Sequence, residues 1–214
     1  MTIVSQSNQR LISHARFAES LTVTWMVVEL VVALWAGVVA RSVALTTFGI
    51  DSALELFTAL VVLRQLILHT QRATDEELDI RERQASRLVG FGLDGLIAYI
   101  VASSAWSLAS GSRPQSSTAG VALALAALII MPLLWRWRLA LAGRLDSPAL
   151  RADSACSLVC VYLSATLLAG LLLNALLGWW WADPLAALAM IFWIRGEAAE
   201  ALEAAKTGRH GDDE

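Results

Sequence analysis

Histidine and cysteine are scarce in this sequence, three and two residues in 214. All three histidines, His14, His69 and His210, fall outside the long apolar runs. An intramembrane enzyme using Cys156 or Cys160 as nucleophile would therefore lack an imidazole base in those runs, and no catalytic role is expected. Basic clusters are absent as well. Lys and Arg are dispersed, the net charge is -3, and nothing resembles a basic reading helix, which argues against a nucleic-acid partner. The two cysteines stand four residues apart, so on a helix they share a face, but that geometry is poor for a disulfide. They say nothing about redox compartment. What the sequence has in abundance is apolar residues: 57% of the chain is hydrophobic and the mean hydropathy is +0.60. Soluble domains lie nearer half.

A helix needs about 20 mostly apolar residues to cross the hydrocarbon core. Six such runs occur, at roughly 20–40, 43–66, 88–110, 117–138, 150–174 and 180–200. The first is longer than the roughly 7–15 apolar residues of a signal-peptide core, so it reads as a retained span. The sixth is the least apolar, ending at Arg195 before Glu197, Glu200 and Glu203. Asp183-Pro184 and Asp146-Ser147-Pro148 read as helix starts, an N-cap acid followed by proline in the first turn. Trp179, Trp180 and Trp181 suit an interfacial aromatic belt. With both termini inside, 14 of the 16 Lys and Arg residues fall on inner segments, and only Arg41 and Arg113 fall outside. This is the asymmetry of the positive-inside rule. The expected fold is an all-α membrane protein, a bundle of six transmembrane helices with both termini cytoplasmic. Residues 1–19 form an N-terminal cytoplasmic segment, 20–203 the transmembrane domain and 204–214 a disordered tail. The stretch 69–87 reads as a helical cytoplasmic linker, and a plasma (inner) membrane is the expected location.

Several acids interrupt the runs: Glu29 in the first, Asp51 and Glu55 in the second, Asp94 in the third and Asp153 in the fifth. Each costs about 2.5–3.5 kcal/mol at a helix centre, so such acids normally face a bundle interior or a cavity and mark a pathway. Asp51 and Glu55 share a helix face about 6 Å apart along the axis. Carboxylates that close repel and share protons, and a divalent cation or a proton between them relieves this. No basic residue lies in the centre of any run to serve as a partner. In the fifth run Asp153, Cys156 and Cys160 follow one stripe, and thiolates with carboxylates can hold a Zn-like ion. Cysteine in an apolar helix can equally be a small hydrophobe. The second and fifth helices run oppositely, which can level Asp51 with Cys160 and Glu55 with Cys156. Glu29 reads either as a second-shell or proton-relay group or as a neutral acid bonded to a neighbouring helix, and Asp94 as a structural or cavity-lining acid.

These segments resemble the membrane domain of the cation diffusion facilitator family. RSVALTTFGIDSALEL looks like its second-helix start, where a Gly-Ser-x-Ala-Leu run leads into the first site acid. SPALRADSACSLVC looks like its fifth-helix start and WWADPLAALAM like its sixth, in the right order over roughly residues 20–203. The resemblance implies a homodimeric, proton-coupled exporter of divalent metals such as zinc, rocking between inward- and outward-open states. Its site would use two ligands from helix 2 and two from helix 5, here Asp51, Glu55, Cys156 and Cys160, with Glu29 and Asp153 as second-shell or proton-relay groups. Metal and protons would compete for these ligands. The chain departs from the family pattern in Glu55 and in the cysteine pair, and it lacks the usual histidine-rich loop and cytoplasmic domain, as in a short branch. The cysteines imply a zinc-like or softer ion, or else a metal-free fifth helix. The competing reading is a metal-binding or regulatory membrane protein that keeps the fold without transport.

Overall fold

A computed structural model describes residues 2–68, 75–145 and 148–207, with the side chains of some helical residues, Asp153 and Cys156 among them, outside the description. Six helices account for nearly all of it: α1 (Thr2–Ala40), α2 (Val43–Leu68), α3 (Asp75–Ser110), α4 (Thr118–Leu145), α5 (Pro148–Leu177) and α6 (Ala182–Thr207). No strand occurs among the described residues. Helices suit such a sequence because each satisfies its own backbone hydrogen bonds, which an apolar surrounding cannot do.

Five of the helices contain stretches long and apolar enough to cross a membrane: Ser13–Ala40, Val43–Val61, Ser86–Ser110, Thr118–Arg144 and Ser157–Leu177. α6 is not among them, because Arg195, Glu197, Glu200 and Glu203 occupy its second half. The helix of the first span extends back through the expected N-terminal segment to Thr2. Of the expected linker 69–87, residues 75–87 are the first part of α3 and 69–74 lie outside the described residues; α6 continues to Thr207, past the expected end at 203, and the rest of the expected tail, 208–214, lies outside the described residues.

The bundle is arranged around α2, which packs against α1, α3, α5 and α6. α4 lies against α1 and α5, and α3 pairs along α6. Small residues let these helices approach closely. A Cβ on Gly170 of α5 would come within 2.6 Å of the Ala186 Cβ of α6, and one on Gly37 of α1 within 2.8 Å of the Thr46 backbone nitrogen. Small-residue contacts of this kind are how helices associate where lipid removes the hydrophobic drive between them. Large apolar side chains face outward, among them Val31, Trp35, Phe91, Trp106, Ile129 and Phe192. Most of the acids in the apolar stretches face inward. An apolar exterior of this extent suits a bilayer.

The two helix hairpins have defined turns. α1 ends on Arg41, which takes a left-handed conformation with φ 53°, and the Ser42 nitrogen donates back to the Gly37 carbonyl at 3.0 Å. α5 ends on Gly178, φ 67°, with the Trp179 nitrogen donating to the Leu173 carbonyl at 3.4 Å. Both are the left-handed terminations that satisfy the last carbonyls of a helix. Trp179 and Trp181 then stack at 5.0 Å.

One expected cap works differently. Asp183 lies within the first turn of α6, and its carboxylate serves α2 instead. Val43 and Ala44 donate their backbone N–H groups to Asp183 Oδ2 at 2.8 and 3.4 Å, and the Ser42 hydroxyl donates to Oδ1. Ser42 Oγ in turn accepts from the Leu45 nitrogen at 3.0 Å. The physical reason is charge: a carboxylate is favourable at the electropositive start of any helix, and the α1–α2 turn brings the start of α2 against α6. At the start of α5, Pro148 is the first helical residue, while Asp146 and Ser147 lie outside the described residues.

Candidate cation site

Asp51 and Glu55 lie on the buried face of α2, 1% and 5% exposed. Phe48, Ser52 and Ala59, on the same helical stripe, are buried with them. Four-residue spacing keeps both acids on the face that α2 presents to its neighbours. Ser52 does not partner them, because its hydroxyl donates to the Phe48 carbonyl at 2.9 Å. All four carboxylate oxygens of the pair lack a hydrogen-bond partner.

Glu29 of α1 is fully buried, within electrostatic reach of Asp51, and both its oxygens also lack a partner. It therefore stands at the same site, but not as an acid bonded to a neighbouring helix. Cys160 of α5 is fully buried with a free thiol. It stands beside the Glu55 carboxyl, with Asp51 and Glu29 also in its electrostatic surroundings. The pairing thus differs from the expected levelling of Cys160 with Asp51. Register between two helices distant in sequence is set by packing, here of α6 against both, and residue counting cannot supply it. The Asp153 and Cys156 side chains lie outside the described residues; the backbone puts Cys156 one turn from Cys160 on α5. Asp94 is not brought to the site: it faces outward on α3.

Two features escaped the sequence reading. The first is Glu197 of α6, which is buried and within electrostatic reach of both Asp51 and Glu55. The only trace in the sequence is its place on the stripe of Ala187, Met190 and Ile194, which the fold buries. The second is a buried basic side chain at the end of the fourth run, whose centre, like the others, holds none. Arg138 of α4 is fully buried and pairs with Glu19 of α1, Nε to Oε1 at 2.9 Å. Its Nη1 also donates to Ser157 Oγ of α5 at 2.8 Å. Arg138 had counted as an inner-segment charge because it ends an apolar run; a long side chain on that turn reaches back into the bundle. This pair ties α1, α4 and α5 together, about 15 Å along α1 from Glu29.

The arrangement is therefore acid-rich and short of counter-charge. Among the described residues Arg138 is the one buried basic side chain, and it is engaged by Glu19. No three His, Cys, Asp or Glu side chains among the described residues converge into a ready metal cage. The acids surround the Asp51–Glu55 pair more loosely than that. Such a site can attract a cation or take up protons. No protein-family model matches the chain, and no curated protein matches it either.

Proposed function

We propose that this chain is an integral membrane transporter of the cation-efflux type. It moves a divalent metal cation through the site between α2 and α5, in exchange for protons, and works as a homodimer with both termini cytoplasmic. The observation that supports this is the Asp51–Glu55 pair: two buried acids, four unpartnered oxygens, inside a bundle with an apolar exterior. Burying unpaired polar groups is costly, and at membrane depth such acids mark ion or proton pathways. Asp51 and Glu55 bind the ion, Cys160 and its neighbour one turn away, Cys156, complete the α5 side, and Glu29 and Asp153 pass protons. Because the ligands must lose protons to bind metal, ion and protons exclude each other, which is the physical basis of exchange.

The test is metal uptake into proteoliposomes under an imposed pH gradient, screening zinc, cadmium, cobalt, manganese and iron, with Asp51→Ala as the control. Flux of one ion that the substitution abolishes is the expected result. A folded protein that moves none of these ions would refute transport, and metal binding retained without flux would make it a metal-binding membrane protein instead.

A further inference from the structure

α6 carries three glutamates in its second half, and the fold treats them differently. Glu200 and Glu203 are exposed, whereas Glu197 is turned inward and only 9% exposed. Its Oε1 has no hydrogen-bond partner. It occupies the place on the buried α6 stripe where Met190 and Ile194 precede it, a position that packing alone would fill with an apolar side chain. Its electrostatic neighbours are Asp51 of α2 and the exposed Glu200, and Glu55 lies within its reach. Glu29 approaches the same pair from α1. Four buried carboxylates on three helices thus lie around the Asp51–Glu55 pair within electrostatic reach of it, and seven of their eight oxygens are buried without a partner. A buried acid with nothing to bond is destabilising by itself, so four together are relieved either by protons or by an occupant of opposite charge.

We propose that Glu197 is a further ligand of the cation site, reaching the Asp51–Glu55 pair from α6, and that with the Glu29 carboxyl beside them as proton relay it makes this a carboxylate-lined site for a hard divalent cation of the Mn²⁺ class. This rests on the reading of Asp51 and Glu55 as cation ligands. Donor chemistry carries the choice of ion. Oxygen donors suit Mg²⁺, Ca²⁺ and Mn²⁺, and thiolates suit softer ions. Even with both cysteines counted, carboxylates outnumber thiols by two to one. Hard ions also dehydrate reluctantly and are commonly held by one or two carboxylates plus water. Acids that surround a centre without closing into a cage match that mode of binding. A ligand on α6 further links occupancy of the site to the helix whose first turn caps α2 through Asp183.

The experiment is Mn²⁺ and Zn²⁺ binding to the detergent-purified full chain by calorimetry, comparing wild type with Glu197→Gln, Glu200→Gln and Asp51→Asn. Glu197→Gln is expected to weaken Mn²⁺ about tenfold or more, the scale on which supporting groups act at metal sites, and to weaken Zn²⁺ less. Glu200→Gln, on the exposed face, is expected to bind as wild type, and Asp51→Asn to lose both ions. If Asp51→Asn abolishes binding while Glu197→Gln binds Mn²⁺ as wild type, the α6 ligand is wrong and the α2 site stands. If Asp51→Asn binds normally, the site itself is wrong and the α6 ligand falls with it. Should Glu197→Gln not fold, Glu197→Asp carries the same test: withdrawing the carboxylate by one methylene is expected to weaken Mn²⁺ several-fold, and unchanged affinity overturns the proposal.

Discussion

Removing a buried acid usually destabilises a protein, yet Asp51→Asn is expected to stabilise this one when metal-free. The reason lies in the environment of the α2 pair. Asp51 and Glu55 stand one helical turn apart, about 6 Å along the axis, and none of their oxygens has a hydrogen-bond partner to lose. Two unit charges at that separation repel by about 3 kcal/mol at an effective dielectric of about 20. Shared protons relieve part of this, which leaves an expected gain of about 1–2 kcal/mol, with Glu29 and Glu197 adding to the repulsion removed. For a chain of this size each kcal/mol shifts the melting temperature by about 2–4 °C. The assay is thermal unfolding in detergent with chelator and then with added Mn²⁺ or Zn²⁺. Wild type should melt lower without metal and rise on its addition, since a ligand that binds only the folded state stabilises it. Asp51→Asn should start higher and fail to respond. A metal-free Asp51→Asn that melts at or below wild type would refute the reasoning, because Asp51 would then be held by favourable contacts. The trade of stability for a charged site is a common one.

Two other positions should behave in the opposite way. Glu19→Gln leaves the fully buried Arg138 without the counter-charge 2.9 Å away and should cost about 3–5 kcal/mol in unfolding free energy, while an apolar replacement of both residues recovers most of it; a single substitution without effect would show that the pair is idle. Asp183→Ala removes the acceptor of the Val43 and Ala44 nitrogens and should cost about 1–2 kcal/mol, with Asp183→Asn restoring much of the loss in the same unfolding assay.

The sequence by itself determined what is local. Runs of apolar residues made helices inevitable, since a helix satisfies its own backbone inside an apolar phase, and each of the six helices falls on one of those runs, although α1 and α3 begin well before theirs. The spacing of Asp51 and Glu55 put them on one face because an α-helix repeats every 3.6 residues. The sixth helix exposes the limit of that reasoning: Arg195 and three glutamates spoil it as an apolar span, yet one of those glutamates belongs to the interior. Tertiary structure alone decided which distant groups meet. Glu197 joins the α2 pair, Cys160 stands beside Glu55, Arg138 turns inward to Glu19, and Asp183 caps a helix some 140 positions earlier in the chain. Asp94, an acid like the others in the sequence, faces outward on α3. Periodicity says which residues share a face of one helix. Which neighbour that face meets, and at what register, follows from packing among helices far apart in the chain, where close approach at residues such as Gly170 and Gly37 sets the fit.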